Sequence, residues 1–503
     1  MGDINYAKLQ NGSDIRGIAM DNEWKDPVNL TDEAVRHLAA AFVVWLREKT
    51  EKEELRIALG RDSRITGEKL LQNAAEGISK EDGTPFDFGI ASTPAMFMST
   101  ILPPYEFDGS IMITASHLPY HRNGMKFFTP KGGLEKEDIK KITMIASELS
   151  FTGPYDSFAE KLDFMDIYAD YLCQKIREGA AADDRDHPLS GLHIIVDAGN
   201  GAGGFFESKV LKALGADTSG SQFLEPDGRF PNHVPNPEDK TAAAAIREAT
   251  LREKADLGII FDTDVDRAGA VLPDGRTLTR NVLIALLSRI ALAEHPGTTI
   301  VTDSITSDGL KDFILAHGGK HRRFKRGYRN VINESIRLNE EGTDSQLAIE
   351  TSGHGAWKEN YFLDDGAYLM VKLLIEMGKG HQLSEMIADL KEPAESAEVR
   401  FPVTRDNVAE TADAVLSLIT EEGPKHKGWT LEQENYEGVR INCGSDAGNG
   451  WFLMRKSLHE PIMPLNLESE AEGGVQVMAK GLLDLLRKAE GLDLAPLEAL
   501  VKQ

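Results

Sequence analysis

The stretch Leu257-Gly258-Ile259-Ile260-Phe261-Asp262-Thr263-Asp264-Val265-Asp266-Arg267 decides how the chain is read. Its first five residues are apolar and bounded by polar ones, the pattern of a strand buried on both faces. Three carboxylates follow at i, i+2 and i+4. On an extended loop they can converge on one hard cation, and three such ligands suit octahedral Mg²⁺ with positions left open for substrate. An EF-hand would need Gly at the sixth loop position and Glu at the twelfth, where this chain has Arg267 and Pro273. A merely solvated acidic turn would not need three Asp at period two straight after a buried strand.

Working outward, the same arrangement of strand and chemical loop recurs three times. Thr114-Ala115-Ser116-His117-Leu118-Pro119 follows the apolar run Ser110–Thr114. A serine there is exposed and rigidly aimed, and His117 and Lys126 can move protons beside it. No G-x-S-x-G elbow surrounds Ser116, which sets an esterase aside. Glu350-Thr351-Ser352-Gly353-His354 follows the run Gln346–Glu350, and its Glu and Ser can hydrogen-bond the vicinal hydroxyls of a sugar. Arg455-Lys456-Ser457-Leu458-His459-Glu460-Pro461 follows Gly450–Arg455, and offers a guanidinium, a hydroxyl and backbone N–H groups to a phosphate. One stretch competes. Gly199-Asn200-Gly201-Ala202-Gly203-Gly204 matches a dinucleotide fingerprint, with Glu225 further on. No matching second half is visible, so the glycines are expected to make a tight turn.

Between these loops, β-branched runs alternate with amphipathic ones. Thr31 caps a helix carrying Val35, Leu38, Ala39 and Phe42, and further helices are expected at Gly67–Ile78, Phe205–Leu214, Thr241–Leu251, Val282–Ala293 and Asp308–His317. Such alternation predicts parallel or mixed sheets covered by helices. The last hundred residues read differently, as α+β. After a helix at Asn407–Glu421 come closely spaced strands at Gly438–Asn442, Gly450–Arg455 and Ile462–Leu467, and a closing helix at Ala471–Ala489. Polar stretches at Ser150–Ser157, Pro273–Thr279 and Lys391–Ser396 divide the chain into segments 1–155, 156–276, 277–395 and 396–503. A length of 503 residues agrees with three or four domains at roughly 150 residues each.

Composition excludes several classes. The chain has 56 Lys+Arg against 81 Asp+Glu, a net charge of −25, which argues against nucleic acid and anionic lipid as partners. Hydrophobic residues at 41% and charged residues at 27% are globular values and exclude disorder. The longest apolar run, Leu38 to Leu46, falls far short of the roughly 20 residues of a membrane span. With only Cys173 and Cys443, and no basic-then-apolar leader, the expected location is the cytoplasm.

In this order, the four loops resemble those of the α-D-phosphohexomutase superfamily, the phosphoglucomutases and phosphomannomutases. Gly12-Ser13-Asp14-Ile15-Arg16-Gly17 and Gly60-Arg61-Asp62-Ser63-Arg64 resemble its N-terminal motifs, and Asn123-Gly124-Met125-Lys126 the segment that places a lysine near the serine. The resemblance implies three topologically similar α/β domains with mixed sheets and a smaller C-terminal α+β domain around a central cleft. It implies that Ser116 carries a phosphoryl group between the two ends of a hexose monophosphate, through a hexose 1,6-bisphosphate that also serves as activator. Asp262, Asp264 and Asp266, with a phosphoserine oxygen at Ser116, would hold Mg²⁺; Arg267 would neutralise charge, and Lys126 and His117 would act as general acid and base. Glu350, Ser352 and His354 would bind the sugar, and Lys325, Arg326, Gly327 and Arg329 would form a second specificity loop. Arg455, Ser457 and His459 would grip the distal phosphate. With Arg16, Arg61 and Arg64 added, a positive pocket is expected inside a negative surface.

The match has departures. Leu118 replaces a usual Asn and Ile349 a usual Gly. Leu458 and His459 stand where a small residue or Asn, then Thr, is usual, so one hydroxyl donor is lost and His459 has to replace it, best when protonated. Alternatives within the resemblance are a hexose 1,6-bisphosphate synthase, a phosphatase and a non-catalytic phosphosugar-binding relative. The expected partners are small sugar phosphates, with a monomer or homodimer as the assembly.

Overall fold

Leu257–Phe261 is a strand with every residue buried, and it runs parallel to Ile194–Asp197 and antiparallel to Ala268–Val271. Thr277–Leu278 completes this four-stranded sheet. The computed structural model describes residues 4–23, 25–152, 159–457 and 460–502. The chain forms two compact bodies, one of residues 1–279 and 352–386, the other of residues 280–351 and 387–503.

The first body also holds an eight-stranded mixed sheet. Arg56–Arg61 lies parallel to both Thr84–Ile90 and Gly109–Ile113, whereas Arg122–Thr129 runs antiparallel to Gly109–Ile113 and to Asp14–Ile18. The helices Asp32–Thr50, Gly67–Lys80 and Lys136–Glu148 bury their apolar stripes against one another and this sheet, in a core that includes Val35, Leu38, Phe42, Ile57, Leu71, Ile111 and Ile139. Thr31 Oγ1 accepts the Ala34 N–H at 3.2 Å, the N-cap expected from sequence. The helix Gly366–Gly378 packs on Phe164–Ala180, and the Tyr168 hydroxyl bonds both carboxylate oxygens of Asp365 at 2.8 Å.

In the second body, Thr299–Thr302 lies parallel to Lys320–Arg323 and to Leu347–Ile349. Its C-terminal part is a five-stranded antiparallel sheet covered by Val408–Glu422, Gly474–Leu486 and Ala495–Val501, with Phe401, Val415, Ile441, Phe452, Leu465 and Leu482 in its core. The architecture is therefore α/β followed by a β-rich α+β domain, as the alternation of elements predicts.

The helices Lys136–Glu148, Phe164–Ala180, Tyr328–Glu340 and Gly366–Gly378 and the strand Arg122–Thr129 are additions to the expected elements, and three more elements differ from expectation. Phe205–Leu214 is not an α-helix: Phe206–Leu211 winds as a π-helix and Lys212–Leu214 as a 3₁₀ turn. The wider winding buries Glu207 along with Phe206, Val210 and Leu211, and Glu207 is satisfied by the Thr218 hydroxyl at 2.6 Å and the Lys212 ammonium at 2.7 Å. The strand Glu395–Pro402, paired over its whole length with Ile462–Ser469, has no counterpart in the sequence reading. It is an edge strand burying only Val399 and Phe401, too few for an apolar alternation to show. The helix expected at Ala471–Ala489 is shorter, starting after Gly473 in a left-handed conformation (φ +76°), and the helix Ala495–Val501 follows it. Cys173 and Cys443 are buried and neither forms a disulfide. Among the described residues no helix is long and apolar enough to cross a membrane.

Candidate active site

The serine loop is shaped by hydrogen bonds that its own sequence and a distant arginine provide. Thr114 Oγ1 accepts the Ser116 N–H at 2.8 Å and donates to Asp62 Oδ2 at 2.7 Å. Ser116 adopts φ +52°, a left-handed conformation that costs a non-glycine residue about 1–3 kcal/mol. The clamp that maintains it is Arg64, whose guanidinium donates to the carbonyls of Ser116 (2.5 Å), Leu118 (2.5 Å), Pro119 (2.9 Å) and Arg122 (3.0 Å) and lies 3.2 Å from Asp62. Arg64 is 1% exposed. In place of the substrate contact expected of it, its Nη1 and Nη2 donate to backbone carbonyls and its Nε faces the Asp62 carboxylate. Arg16 donates to the Thr114 carbonyl at 2.7 Å and to Asp14 at 2.8 Å, and Arg61 leans on the Asp62 carbonyl at 3.3 Å.

The aspartate loop folds on itself. Asp262 N–H donates to the Arg267 carbonyl at 3.2 Å, and Arg267 N–H returns to Asp262 Oδ1 at 3.2 Å. Between them Val265 is buried with φ +68°, an outlier for a β-branched side chain, and its carbonyl is held by the Gly366 N–H at 3.1 Å. The reversal brings oxygens of Asp262, Asp264 and Asp266 within 4.8 Å of one another. All three are buried. The glycine turn supports this loop: Gly199 has φ +53°, a Cβ on Gly201 would lie 2.6 Å from the Thr263 carbonyl, and Ala202 N–H donates to that carbonyl at 2.8 Å. Thr93, which no sequence signal singled out, donates from its hydroxyl to Asp264 Oδ2 at 2.5 Å and from its N–H to the Asp264 carbonyl at 2.8 Å.

The two loops meet. Ser116 Oγ donates to Asp262 Oδ2 at 3.1 Å, and Arg267 Nη2 donates to Ser116 Oγ at 3.2 Å, to Asp262 Oδ2 at 3.1 Å and to His117 Nδ1 at 2.5 Å. Lys126 Nζ pairs with Asp264 Oδ2 at 2.9 Å and Asp266 Oδ2 at 2.5 Å. Burial alone would lower Lys126, but these two carboxylates hold it well above its ordinary value. Burial opposes ionisation of Asp266 too, and Lys126 reverses this, keeping Asp266 ionised. Asp262 is pushed up, by burial first and then by Asp266 and Asp264. Burial and the Arg267 guanidinium lower His117 to about 3, so at neutral pH it is an uncharged acceptor for Arg267. His354 behaves oppositely. Burial disfavours its charge, but Asp364 Oδ2 at 2.6 Å and Asp266 raise it to about 9. Asp364 was missed: it ends a two-residue strand, Leu363–Asp364, and the Asp-Asp-Gly run there lacks the alternate spacing of the aspartate loop.

In the second body, Glu350 is buried and its Oε1 accepts the Gly327 N–H at 2.6 Å. Asp303, also missed, receives the Thr351 hydroxyl at 2.7 Å and lies 3.4 Å from Arg326 Nε. Arg455 is 7% exposed, and burial together with the nearby Arg326 guanidinium lowers its pKa, the environment of a site that gains by taking up an anion. Lys325 and Arg329 flank the Arg326–Gly327 turn, Ser457 Oγ accepts the Glu460 N–H at 3.2 Å, and Leu458 and His459 lie outside the described residues. Ser352 belongs to the first body.

Comparison with known proteins matches three family models in order: phosphoglucomutase/phosphomannomutase α/β/α domain I over residues 7–152, domain II over 166–275 and domain III over 279–393. A phosphoglucomutase of Neisseria meningitidis serogroup B is 30% identical over 468 residues, covering 92% of this chain and 93% of its own. A phosphomannomutase/phosphoglucomutase of Pseudomonas aeruginosa is 27% identical over 477 residues, covering 93% and 92%. In fold, the chain matches the crystal structure of a phosphoglucomutase/phosphomannomutase family protein from Burkholderia thailandensis with a TM-score of 0.78 at 24% identity, over 97% of this chain and 98% of that one.

Proposed function

Because the chain belongs to the α-D-phosphohexomutase superfamily, we propose that it is a phosphoglucomutase/phosphomannomutase-type isomerase that interconverts hexose 1-phosphate and hexose 6-phosphate, glucose or mannose, through phosphorylated Ser116 and a hexose 1,6-bisphosphate. The observation that carries this reading is Ser116 Oγ, aimed by a left-handed backbone between Asp262 Oδ2 and Arg267 Nη2.

The donor set fits a hard divalent cation. Asp264 Oδ1 and Asp266 Oδ1 are buried and accept no hydrogen bond, an expensive arrangement unless a cation takes them up. Asp262, Asp264 and Asp266, with a phosphoserine oxygen at Ser116, would hold Mg²⁺, which when bound neutralises charge on the transferred phosphoryl group. The remaining work falls to the chain's own residues. In the forward half-reaction a sugar oxygen forms a bond to phosphorus as the Ser116 Oγ–phosphorus bond breaks, and the sugar hydroxyl proton must leave while Ser116 Oγ gains one. Arg267 donates to that oxygen, and neutral His117 steadies Arg267. Neutral His117, its Nδ1 3.2 Å from Ser116 Oγ, would take up the sugar proton, and cationic Lys126 or His354 would supply the one that Ser116 Oγ gains. The reverse half-reaction, at the other end of the reoriented bisphosphate, returns the phosphoryl group to Ser116. Glu350, Arg326 and Arg455 would hold the sugar and the phosphate that is not reacting.

Intact mass combined with one assay tests this. The protein should carry a single added phosphate that is absent from Ser116→Ala, and should convert glucose 1-phosphate or mannose 1-phosphate with Mg²⁺ and a catalytic amount of bisphosphate. Full activity in Ser116→Ala overturns the mechanism. Build-up of glucose 1,6-bisphosphate from fructose 1,6-bisphosphate, without isomerisation, makes the chain a synthase.

A further inference from the structure

Glu437 lies outside all the loops discussed so far, yet in the second body two loops are built onto its carboxylate. Its Oε2 accepts the Ser304 hydroxyl and, at 3.2 Å, the backbone N–H of Arg326. The next N–H along, that of Gly327, goes to Glu350 at 2.6 Å. Successive amides of one turn are thus held by two carboxylates, one at the end of a strand in the α/β part and one in the C-terminal domain. Tyr436 adds to the grip. The Arg322 guanidinium lies 3.9 Å from its ring centroid and donates to its hydroxyl, and the Phe324 ring is 5.4 Å away.

The backbone that carries Glu437 has no slack. Asn435 Nδ2 donates to the carbonyls of Glu437 and Gly438, both at 2.9 Å. Gly438 has φ +59°, and a Cβ there would lie 2.1 Å from the Met454 carbonyl and 2.9 Å from Arg455 Cα, so this segment abuts the backbone of the proposed phosphate ligand. Beyond it, Arg440 is 1% exposed, lies 3.7 Å from the Trp451 ring and donates to the Ser304 carbonyl at 3.2 Å and to Asp308 Oδ1 at 3.0 Å. Asn435, Tyr436 and Glu437 are half-buried and Arg440 is buried, and side chains hydrogen-bonded in this way have few alternative positions.

We propose that Glu437, supported by Tyr436, is a positioning residue for sugar recognition: it fixes the Arg326–Gly327 turn against Glu350 and ties that turn to Arg455. The proposal rests on the mutase reading. Glu437 belongs to the second body, whereas Ser116 and the aspartate loop belong to the first, so its loss should weaken binding of the sugar phosphate and the choice between C2 epimers, and spare the phosphoryl-transfer step.

The test is steady-state kinetics of the full-length chain on glucose 1-phosphate and mannose 1-phosphate. Losing hydrogen bonds of this kind corresponds to a KM rise of about tenfold in Glu437→Ala, with kcat within about threefold of wild type and a glucose-to-mannose preference moved by about threefold or more. Both hydrogen bonds end on one oxygen, so Glu437→Gln, whose amide oxygen can accept both, should restore wild-type values; a purely electrostatic role would not be rescued. An unchanged KM and sugar preference in Glu437→Ala, or a fall in kcat alone, overturns the proposal. If Glu437→Ala does not fold, Glu437→Asp, whose carboxylate is one methylene short of the turn, is read by the same outcomes. Absence of activity in the wild-type chain overturns the mutase reading itself, and this proposal with it; an active wild type with unaffected variants overturns only the proposal.

Discussion

Arg64 offers the sharpest test of how Ser116 is presented. Its guanidinium makes four hydrogen bonds, three to serine-loop carbonyls and one to the carbonyl of Arg122, and an ion pair with buried Asp62. Arg64→Met would leave those carbonyls and the Asp62 carboxylate without a partner. Removing one member of a buried ion pair costs about 3–5 kcal/mol, and each hydrogen bond to a charged group about 1.5–3 kcal/mol. These terms are not additive, so a loss of about 4–6 kcal/mol is expected, comparable with the whole stability of many domains. Arg64→Lys is therefore the informative variant. It keeps the charge near Asp62 but cannot span four carbonyls. Ser116 would then be free to relax from its left-handed conformation, releasing about 1–3 kcal/mol and lowering the competent population about 5- to 150-fold. Kinetics should show kcat falling by that factor with KM little changed, and thermal denaturation a moderately lower midpoint. Wild-type kcat together with a wild-type midpoint in Arg64→Lys would refute the clamp.

Two other expectations concern charge. Burial raises Glu468 from 4.5 to about 7, even though Trp451 donates to it and Arg440 lies nearby. The folded form binds the proton more tightly than the unfolded one, so the stability this adds is complete below about pH 4.5 and is lost as pH rises through about 7. Glu468→Gln should match wild type near pH 4.5 and exceed it by about 2–3 kcal/mol at pH 8, read from denaturant midpoints at both values; a difference independent of pH would refute the assignment. Asp266→Asn keeps the shape of the aspartate loop but removes one of its buried charges. Calorimetric titration with Mg²⁺ should show affinity reduced by about 100-fold or more, since even residues behind the ligands commonly cost 10- to 100-fold, and unaltered binding would move the cation site elsewhere.

The sequence by itself determined the order of strands and chemical loops, and through them the most local part of the site. Leu257–Phe261 had to be a buried strand, and carboxylates at i, i+2 and i+4 beyond it could gather with only one turn of intervening backbone. Ser116 was legible for the same reason, as a polar residue leaving a wholly buried strand. What each basic residue does was not legible. Arg64 and Arg267 both stand in motif-like runs, but one binds backbone carbonyls from a segment about fifty residues away and the other binds the Ser116 hydroxyl. His117 and His354 look equivalent in sequence, and the tertiary structure separates them: burial and then Arg267 keep the first neutral, whereas Asp364 against the second holds it charged despite burial. The edge strand Glu395–Pro402 and the grip of Glu437 escaped notice because neither shows an apolar period or a spacing. Local pattern reports what a segment does with its own backbone. The charge state of a histidine and the partner of a guanidinium depend on which distant segments share its low-dielectric surroundings, and only the packed chain decides that.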